Sequence, residues 1–285
     1  MVTLENKQIK IVVNPHGAEL WSIIKDGRER LWQGDPDIWD GRAYNLFPIC
    51  GGLKDNEYFY NGRPYHMKKH GFARHAEFKV ERQTDDEAAF LLSSDFYKDD
   101  GYPFLYDFRV IYKLLGGTVR VTYSIKNKGD ADMYFSCGAH EGYSLNGPIE
   151  DYSLYFSDDT ELFRYVLDGE ILTNVREPLY MKGNEMPLNY TYFDTDAIVL
   201  KDHKSKKVQL KNRKSGECVT VCFDDFRYLL FWTKRNGGYL CIEPWTGIPD
   251  TECADKKIEH KEGITRLAAG AETEFVHTFT IDGEL

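Results

Sequence analysis

The sequence predicts an all-β protein, built as one large antiparallel β-sandwich. Aromatic residues make up 14% of the 285 residues, and aromatic side chains favour the pleated, half-buried surface of a sheet. Apolar and polar residues alternate over 119–125 and again over 275–281, as they do in a strand with one buried face. Helical periodicity over three turns is missing, and at most residues 35–40 or 263–269 form a single helical turn.

Ten further segments are predicted strands, each a short run rich in β-branched, aromatic or other apolar residues. In chain order they are 8–13, 76–82, 88–94, 106–114, 152–157, 197–201, 206–211, 218–223, 227–233 and 239–243. The turn signals between strands are Asp26-Gly27, Asn61-Gly62, Gly116-Gly117, Asn127-Lys128-Gly129, Lys214-Ser215-Gly216 and Asn236-Gly237-Gly238. So many short strands without an intervening linker predict a single domain over residues 1–285.

The charge balance excludes two classes of partner. The chain has 36 basic and 46 acidic side chains and a net charge of −10, whereas binding to nucleic acid or to anionic lipid needs a basic face. No stretch approaches the roughly 18 uncharged apolar residues of a membrane helix, and no signal peptide is visible. The six cysteines form no CxxC pair, which favours reduced, buried thiols and a cytoplasmic location.

Common cofactor and metal motifs are missing from the sequence. It contains no GxxxxGK[ST], no GxGxxG after a strand, no HExxH and no GxSxG, so nucleotide-binding and serine-triad chemistry have no support. His66 and His70 are close in sequence, but on a strand their side chains would lie about 13 Å apart at ~3.3 Å per residue, too far to share an ion. We therefore expect neither a metal nor a cofactor.

Three segments place a titratable side chain beside rigid or aromatic neighbours. They are residues 69–75, 136–143 and 241–250. In the last of them an apolar strand runs directly into Glu243, where partial burial favours the neutral carboxyl and suits a base that works near neutral pH. Trp245 follows and offers a flat apolar face of the kind on which sugar rings stack.

Each titratable residue in these segments also has a purely structural interpretation. Glu243 could pair with a neighbouring Arg or Lys at the end of its strand. His140, which follows the small residues 137–139, could be a core histidine bonded to a main-chain carbonyl, and His70 could belong to a surface turn. Taken one at a time, the segments leave both interpretations open.

Together with flanking motifs, the three segments resemble the aldose 1-epimerase (galactose mutarotase-like) family, and in particular its LacX-like branch. The supporting motifs are Gly17-Ala-Glu-Leu-Trp-Ser22, Leu31-Trp-Gln-Gly-Asp-Pro36 with Trp39, Asn45-Leu-Phe-Pro-Ile49 with Gly51, His70-Gly-Phe-Ala-Arg74, Gly138-Ala-His140, Phe193–Leu200 and Ile242-Glu-Pro-Trp-Thr-Gly247. WQGDP, HGFAR and EPWxG in this order and spacing are a specific signature, and the motifs span most of the chain.

The resemblance implies a β-supersandwich with a sugar-binding cleft on its concave face and a reaction without metal or cofactor. It implies that Glu243 is the general base for the anomeric hydroxyl, and that His140 is the general acid that protonates the ring oxygen from the opposite side of the C1–O5 bond. Ring opening, rotation about C1–C2 and reclosure then give the other anomer. The sugar-binding residues that it implies are His70, Arg74, Arg42 and Asp196, the last with Asp194 as a neighbouring alternative.

The sequence departs from the galactose mutarotase pattern at two places. Glu141 follows His140, where those enzymes usually have Pro and then an aromatic residue. A carboxylate beside the imidazole is expected to favour its protonated form. Leu46 follows Asn45, where the usual segment has Arg. Both differences bear on the preferred sugar more than on the reaction.

We expect an isomerase that interconverts the α and β anomers of a free aldohexose such as galactose or glucose, acting as a monomer or homodimer. Two alternatives stay open. A hexose-6-phosphate 1-epimerase of the same superfamily would clamp a phosphate with basic side chains, and Arg42, Lys68, Lys69 and Arg74 are available. A non-catalytic carbohydrate-binding or regulatory protein on the same fold would not need both His140 and Glu243.

Overall fold

The computed structural model describes residues 1–283, which form 24 β-strands joined by turns and short 3₁₀ helices. In chain order the strands are β1 Val2–Glu5, β2 Lys10–Asn14, β3 Glu19–Lys25, β4 Arg28–Glu29, β5 Ala43–Leu46, β6 Glu57–Tyr60, β7 Arg63–His66, β8 Lys79–Gln83, β9 Glu87–Ser93, β10 Tyr106–Leu115, β11 Thr118–Asn127, β12 Met133–Phe135, β13 Gly138–Ser144, β14 Tyr152–Phe156, β15 Phe163–Asp168, β16 Ile171–Pro178, β17 Glu185–Pro187, β18 Ile198–Leu200, β19 Lys207–Asn212, β20 Cys218–Cys222, β21 Tyr228–Trp232, β22 Tyr239–Trp245, β23 Thr265–Leu267 and β24 Glu272–Ile281. The 3₁₀ helices are Lys54–Asn56, Ala73–His75, Ile149–Asp151, Tyr190–Phe193 and Ile258–His260. No helix within residues 1–283 is both long and apolar enough to cross a membrane.

Two large antiparallel sheets form the body of the molecule. The nine-stranded sheet has the order β17-β14-β19-β20-β24-β11-β10-β9-β8, and the seven-stranded sheet has the order β16-β15-β18-β21-β22-β13-β5. A four-stranded sheet, β1-β2-β3-β4, and the two-stranded ribbons β12-β23 and β6-β7 complete the fold. The prediction of an all-β antiparallel sandwich is confirmed.

A continuous apolar core lies between the two large sheets. β10 alternates buried and half-buried residues along its length, and all ten of its residues pair with β11. Aromatic contacts cross the interior: the ring centroids of Phe156 and Phe231 are 6.0 Å apart, and those of Tyr143 and Phe279 are 5.8 Å apart. Burial of each large apolar side chain contributes roughly 1.5–3 kcal/mol relative to exposure. The core therefore fixes how the seven-stranded sheet, which carries the site, lies on its partner.

Every predicted strand segment overlaps an observed strand, whereas two strands of the site were not predicted. β5 is only four residues long, and β13 begins with the small residues Gly138 and Ala139, so neither shows a clear apolar alternation. Residues 35–40 form one turn, in which the Asp35 carbonyl accepts from the Trp39 amide at 2.7 Å. The helical turn suggested at 263–269 is wrong, because residues 265–267 form β23 and pair with β12.

The register of the seven-stranded sheet brings three chemically active side chains into one row. β13 and β22 pair with Glu141 opposite Ile242, a register that places His140 opposite Glu243. On the other side of β13, His140 lies opposite Tyr44 of β5. Successive side chains of a strand point to opposite faces of the sheet. The side chains of this row therefore share the outer face, away from the nine-stranded sheet.

Candidate active site

A cleft of about 500 Å³ opens on the outer face of the seven-stranded sheet, within the range of roughly 300–1,000 Å³ that is usual for small-molecule sites. Five of the six site residues that the sequence predicts line it. They are His140, Glu243, His70, Arg74 and Asp196. The cleft also has aromatic walls, made by Trp39, Tyr44, Phe193, Trp232 and Trp245. A few convergent polar groups between apolar walls are typical of a site that binds a small molecule.

The His140 and Glu243 side chains meet at the floor of this cleft, the sheet surface itself. His140 Nε2 lies 3.4 Å from Glu243 Oε2, and the two side chains are 10% and 2% exposed. Glu243 thus pairs with an imidazole and not with the Arg or Lys of the structural interpretation. Both groups line the same cleft.

Burial shifts the pKa of both groups toward the uncharged form. Desolvation lowers the pKa of His140 to about 3, and the rings of Trp39, Trp232 and Tyr44 surround it, with centroids 5.2, 5.7 and 6.1 Å away. Desolvation also raises the pKa of Glu243 well above its usual range. Burial disfavours the charged form of each side chain. The pair is therefore suited to share one proton, which either His140 Nε2 or the Glu243 carboxylate can carry.

Glu141 follows His140 in the chain, but its side chain points to the opposite face of the sheet. There its Oε1 accepts a hydrogen bond of 2.8 Å from Nε2 of His277 on β24, and both side chains are buried. The expectation that Glu141 lies beside the His140 imidazole is wrong. Alternation along β13 directs it instead into the core between the two large sheets.

His70 lies beside the catalytic candidates and is buried, so it does not belong to a surface turn. Its ring centroid is 5.8 Å from that of His140. The Gly51 amide donates to His70 Nδ1 at 3.1 Å, which leaves the ring proton on Nε2 in the neutral tautomer. Burial lowers the pKa of His70 well below its usual value. A neutral ring with a proton on Nε2 can donate a hydrogen bond to a ligand.

The two neighbouring aspartates of segment 193–200 have different surroundings. Asp196 lines the cleft, with Oδ2 3.7 Å from Lys69 Nζ and Oδ1 accepting from the Ala197 amide at 2.8 Å. Asp194 instead accepts a hydrogen bond from Arg235 Nη2 at 2.6 Å. Asp196 also has a φ of 126°, which is uncommon for a residue other than glycine. Of the two carboxylates, that of Asp196 is the one placed to meet a ligand.

The two predicted arginines lie in different places. Arg74 lines the cleft, and its guanidinium lies 5.2 Å from the centre of the Tyr44 ring. Arg42 does not reach the cleft. Its guanidinium lies 3.9 Å from the centre of the Trp21 ring, and Nη1 donates to the Trp21 carbonyl and to Gln33 Oε1, each at 2.7 Å. The structure therefore does not bring Arg42 together with the other predicted residues.

Sequence reasoning found one aromatic wall of the cleft, Trp245, and missed the other four and a basic pair. Trp232 ends β21, and Lys234 and Arg235 follow in the hairpin that leads to β22. The predicted strands 227–233 and 239–243, with a turn between them, could have placed this hairpin beside Glu243. Trp39 belongs to the motifs that carry the resemblance, but no predicted strand placed it at the cleft, because it lies in a turn before the short β5.

One group of three side chains within residues 1–283 could hold a metal ion. His140, Cys241 and Glu243 each offer one ligand atom, and the three atoms lie within 4.8 Å of one another. Cys241 and Glu243 are two residues apart on β22 and so share its outer face. His66, which the sequence brings near His70, is exposed, whereas His70 is buried.

The chain is similar in sequence to known proteins along nearly its whole length. Residues 1–280 match the family described as aldose 1-epimerase. The chain is 32% identical over 283 residues to the chromosomal protein LacX of Lactococcus lactis subsp. lactis, with 93% of this chain and 94% of LacX covered. The match thus extends over nearly the whole of both proteins.

Two solved structures are similar along nearly the entire chain. A galactose mutarotase related enzyme from Lactobacillus acidophilus has a TM-score of 0.92 and 34% identity, covering 98% of this chain and 96% of that chain. A galactose mutarotase-like protein from Lactobacillus casei ATCC 334 has a TM-score of 0.93 and 27% identity, covering 99% of each chain. With its β-sandwich, its cleft and these relatives, the chain belongs to the aldose 1-epimerase family.

Proposed function

We propose that this protein is a cofactor-independent aldose 1-epimerase that interconverts the α and β anomers of a free aldohexose such as galactose or glucose. The observation that carries the proposal is the contact between His140 and Glu243, 3.4 Å apart at the floor of the cleft. One member of such a pair can give a proton while the other takes one. Anomer interconversion requires both acts, at two oxygens bonded to the same carbon.

The proposed reaction begins with Glu243 taking the proton of the anomeric hydroxyl while His140 protonates the ring oxygen, O5. The C1–O5 bond breaks, its electron pair goes to O5, and O1 becomes the carbonyl oxygen of the open-chain aldehyde. After rotation about C1–C2, the O5 hydroxyl attacks C1 from the other side. His140 then recovers its proton from O5, and Glu243 returns its proton to O1. Each group contributes roughly 10²–10⁴-fold to the rate.

The reactive form of the pair is the ion pair, with the proton on His140 and with Glu243 ionised. Because burial lowers the pKa of His140 to about 3, its imidazolium is a stronger acid than in water. Because burial raises the pKa of Glu243 well above its usual range, its carboxylate is a stronger base. The opposite charges are 3.4 Å apart, and their attraction offsets part of the cost of desolvating each.

Three neighbours are proposed to hold the sugar over the pair. His70 donates from Nε2 to a ring or hydroxyl oxygen, and Asp196 accepts from another hydroxyl. Trp245 presents its ring as a wall, and its Nε1–H donates to the Ala139 carbonyl at 3.0 Å, which fixes the ring orientation. Arg74 completes the polar rim. Holding the sugar in one orientation is itself a large part of the rate enhancement.

A hexose-6-phosphate is the second candidate substrate, because four basic side chains line the cleft. They are Lys69, Arg74, Lys234 and Arg235. Each already contacts a protein oxygen: Lys69 lies near Asp196, Arg74 donates to the Lys69 carbonyl, Lys234 donates to the Ile38 carbonyl, and Arg235 donates to Asp194. A phosphate would have to displace these partners, so the arrangement favours an uncharged sugar.

We also propose that the protein acts in the cytoplasm. All six cysteines are free thiols. Free thiols are the usual state in a reducing compartment, whereas secreted domains use cysteines in disulfides.

The test is the rate of mutarotation of freshly dissolved α-D-galactose and α-D-glucose, followed by polarimetry or by proton-exchange NMR. Glucose 6-phosphate is measured in parallel. We expect the protein to accelerate a free sugar and the Glu243→Gln variant to lose roughly 10²–10⁴-fold of the rate. Glu252→Gln, which changes an exposed carboxylate outside the cleft, is the matched control and should keep the full rate.

Two other outcomes would change the assignment. Acceleration of glucose 6-phosphate alone would assign the phosphosugar reaction and give the basic residues of the cleft a role. Saturable sugar binding without acceleration of any substrate, unchanged in Glu243→Gln, would identify a carbohydrate-binding protein that has no turnover.

A further inference from the structure

We propose that His140, Cys241 and Glu243 also form a binding site for a thiophilic divalent cation such as Zn²⁺, and that the bound cation inhibits the enzyme. The inhibitory part rests on the proposed function, whereas cation binding does not. The three side chains come from two adjacent strands, and all three are buried. His140 and Glu243 line the cleft, and Cys241 lies on the same face of β22 as Glu243. Sulfur, imidazole nitrogen and carboxylate oxygen are the three ligand types that zinc accepts.

The first argument is the spacing of the ligand atoms. With zinc bonds of about 2.0–2.2 Å to nitrogen and oxygen, a tetrahedral angle separates two such ligands by about 3.4 Å. His140 Nε2 and Glu243 Oε2 are 3.4 Å apart, which matches this separation. The Cys241 sulfur lies within 4.8 Å of the other two ligand atoms. Closing that gap takes a shift of about 1 Å, given the zinc–sulfur bond of about 2.3 Å.

The second argument is the number and direction of the ligands. Three protein ligands leave one position of a tetrahedral ion open, and the cleft that His140 and Glu243 line can supply a fourth ligand. Mg²⁺ and Ca²⁺ prefer sites made of oxygen ligands only, so the sulfur and nitrogen donors select against them. The donor set therefore favours Zn²⁺, or Co²⁺ as its spectroscopic substitute, with water as the fourth ligand.

The surroundings of the site partly support and partly oppose a cation. Cys241 packs with Trp39 and Tyr239 in a small apolar cluster beneath the cleft, which keeps competing water away from the sulfur. Lys69 is a cation near the same floor and opposes a second positive charge. It lies 3.7 Å from the Asp196 carboxylate, and that negative charge offsets the repulsion.

Bound Zn²⁺ would stop turnover for a simple reason. The lone pairs that it uses, on His140 Nε2 and on the Glu243 carboxylate, are those that carry the protons of the reaction. A ligated pair can neither give nor take a proton, and the cation also lies where the sugar would lie. Sugar and cation should therefore compete, and the activity should depend on the free concentration of thiophilic cations.

The binding test is a Co²⁺ titration of the metal-stripped full-length protein, followed by absorption spectroscopy. We expect a 1:1 complex with the visible bands of tetrahedral Co²⁺ and a near-ultraviolet band from thiolate-to-cobalt charge transfer. Cys241→Ser should lose the charge-transfer band and bind at least about 100-fold more weakly, because even partners outside the ligand set are worth 10–100-fold in metal affinity. Cys253→Ser is the matched control, since it removes an exposed thiol, and should keep both features.

The proposal is overturned if Cys241→Ser keeps the charge-transfer band, if Cys253→Ser loses it, or if folded wild-type protein forms no tetrahedral complex. Glu243→Gln gives a second check, because it nearly preserves side-chain shape and should weaken Co²⁺ binding while the thiolate band persists at saturation. Glu243→Gln binding Co²⁺ as tightly as the wild type would exclude the carboxylate from the site.

A kinetic arm separates this proposal from the proposed function. Zn²⁺ should inhibit wild-type mutarotation at a concentration at least about 100-fold lower than it inhibits Cys241→Ser, each measured against its own metal-free rate. If the protein binds Co²⁺ but does not accelerate mutarotation, the cation site is supported and the proposed function is rejected. If the protein is fully active, Zn²⁺ leaves that activity unchanged and no Co²⁺ complex forms, the proposed function is retained and the cation site is rejected.

Discussion

His140 and Glu141 are adjacent in the chain, and their side chains lie on opposite faces of the seven-stranded sheet. On the cleft face His140 lies 3.4 Å from Glu243, and on the core face Glu141 accepts a hydrogen bond from His277 at 2.8 Å. Two buried pairs of a histidine and a glutamate therefore lie back to back across β13. The second pair links the seven-stranded sheet to β24 of the nine-stranded sheet, directly beneath the candidate active site.

The core pair should be strongly coupled in stability. Glu141→Leu leaves His277 buried without its acceptor, and we expect the free energy of unfolding to fall by about 1–3 kcal/mol. His277→Leu should cost a similar amount, whereas the double variant should cost less than the sum of the two. Urea denaturation of the wild type, both single variants and the double variant measures this coupling. Strictly additive losses would show that the hydrogen bond contributes nothing.

Glu243→Gln should stabilise the protein, and more so as the pH rises. The folded-state pKa of Glu243 is raised by burial from its ordinary value of 4.5, so the folded chain holds a proton that the unfolded chain has lost. The contribution of Glu243 to stability is complete below that ordinary value and is lost as the pH rises toward the folded-state pKa. Glutamine carries no such loss, because it does not ionise.

Thermal unfolding of wild type and Glu243→Gln from about pH 5 to about pH 8 measures this effect. The difference between the two midpoints should grow with pH, and the Glu252→Gln control should show a difference that stays flat. A constant gap would mean that Glu243 ionises in the folded protein as easily as in water, and a gap that shrinks toward high pH would mean that it ionises more easily.

His70→Asn should lower kcat/KM by about tenfold, the value of one lost hydrogen bond to the substrate. Asparagine is chosen because it tolerates the left-handed conformation that His70 adopts, with a φ of 70°. His66→Asn removes an exposed histidine and should leave the kinetics unchanged. Equal kinetics for His70→Asn and the wild type would remove His70 from the list of sugar-binding residues.

Asp196→Asn and Asp194→Asn form a matched pair, since the two residues are close in sequence and differ in what they meet. Asp196 lines the cleft near Lys69, whereas Asp194 is bonded to Arg235. We expect Asp196→Asn to raise KM about 10–100-fold, because a hydrogen bond to a charged group is worth roughly 1.5–3 kcal/mol. Asp194→Asn should change KM little. Steady-state kinetics of both variants measure this difference. A larger rise in KM for Asp194→Asn than for Asp196→Asn would assign the sugar contact to Asp194.

Gly138→Ala should disturb the floor of the cleft. A Cβ at this position would lie 2.4 Å from Cδ1 of Trp245 and 3.1 Å from Sγ of Cys50, and relieving such overpacking costs about 1–3 kcal/mol. Gly117→Ala is the control, because its nearest contact is 3.6 Å, to Oε1 of Gln8. The free energy of unfolding, measured by chemical denaturation, and the mutarotation rate should both fall for Gly138→Ala. Both should stay unchanged for Gly117→Ala. A Gly138→Ala protein as stable as the wild type would show that the Trp245 ring can move.

The predicted strands depend on patterns only a few residues long, which is why they agree with the structure. β10, β11 and β24 show apolar alternation in the chain itself. β5 and β13 do not, because they are short or begin with small residues, and they became strands by pairing with β22 and with each other. Arg42 shows a similar limit. Its guanidinium lies against Trp21, a contact between segments that no local pattern encodes.

Alternation is a local property, and it alone puts Cys241 and Glu243 on one face of β22 and Ile242 on the other. The residue that lies opposite Glu243, in contrast, is not determined by any local pattern. It depends on the register between two strands far apart in the chain, and a shift of one residue would have turned His140 into the core and Glu141 into the cleft. Packing between the two large sheets favours the observed register, because it puts Ala139 and Tyr143 of β13 into the core. The acid–base pair therefore exists only in the folded protein.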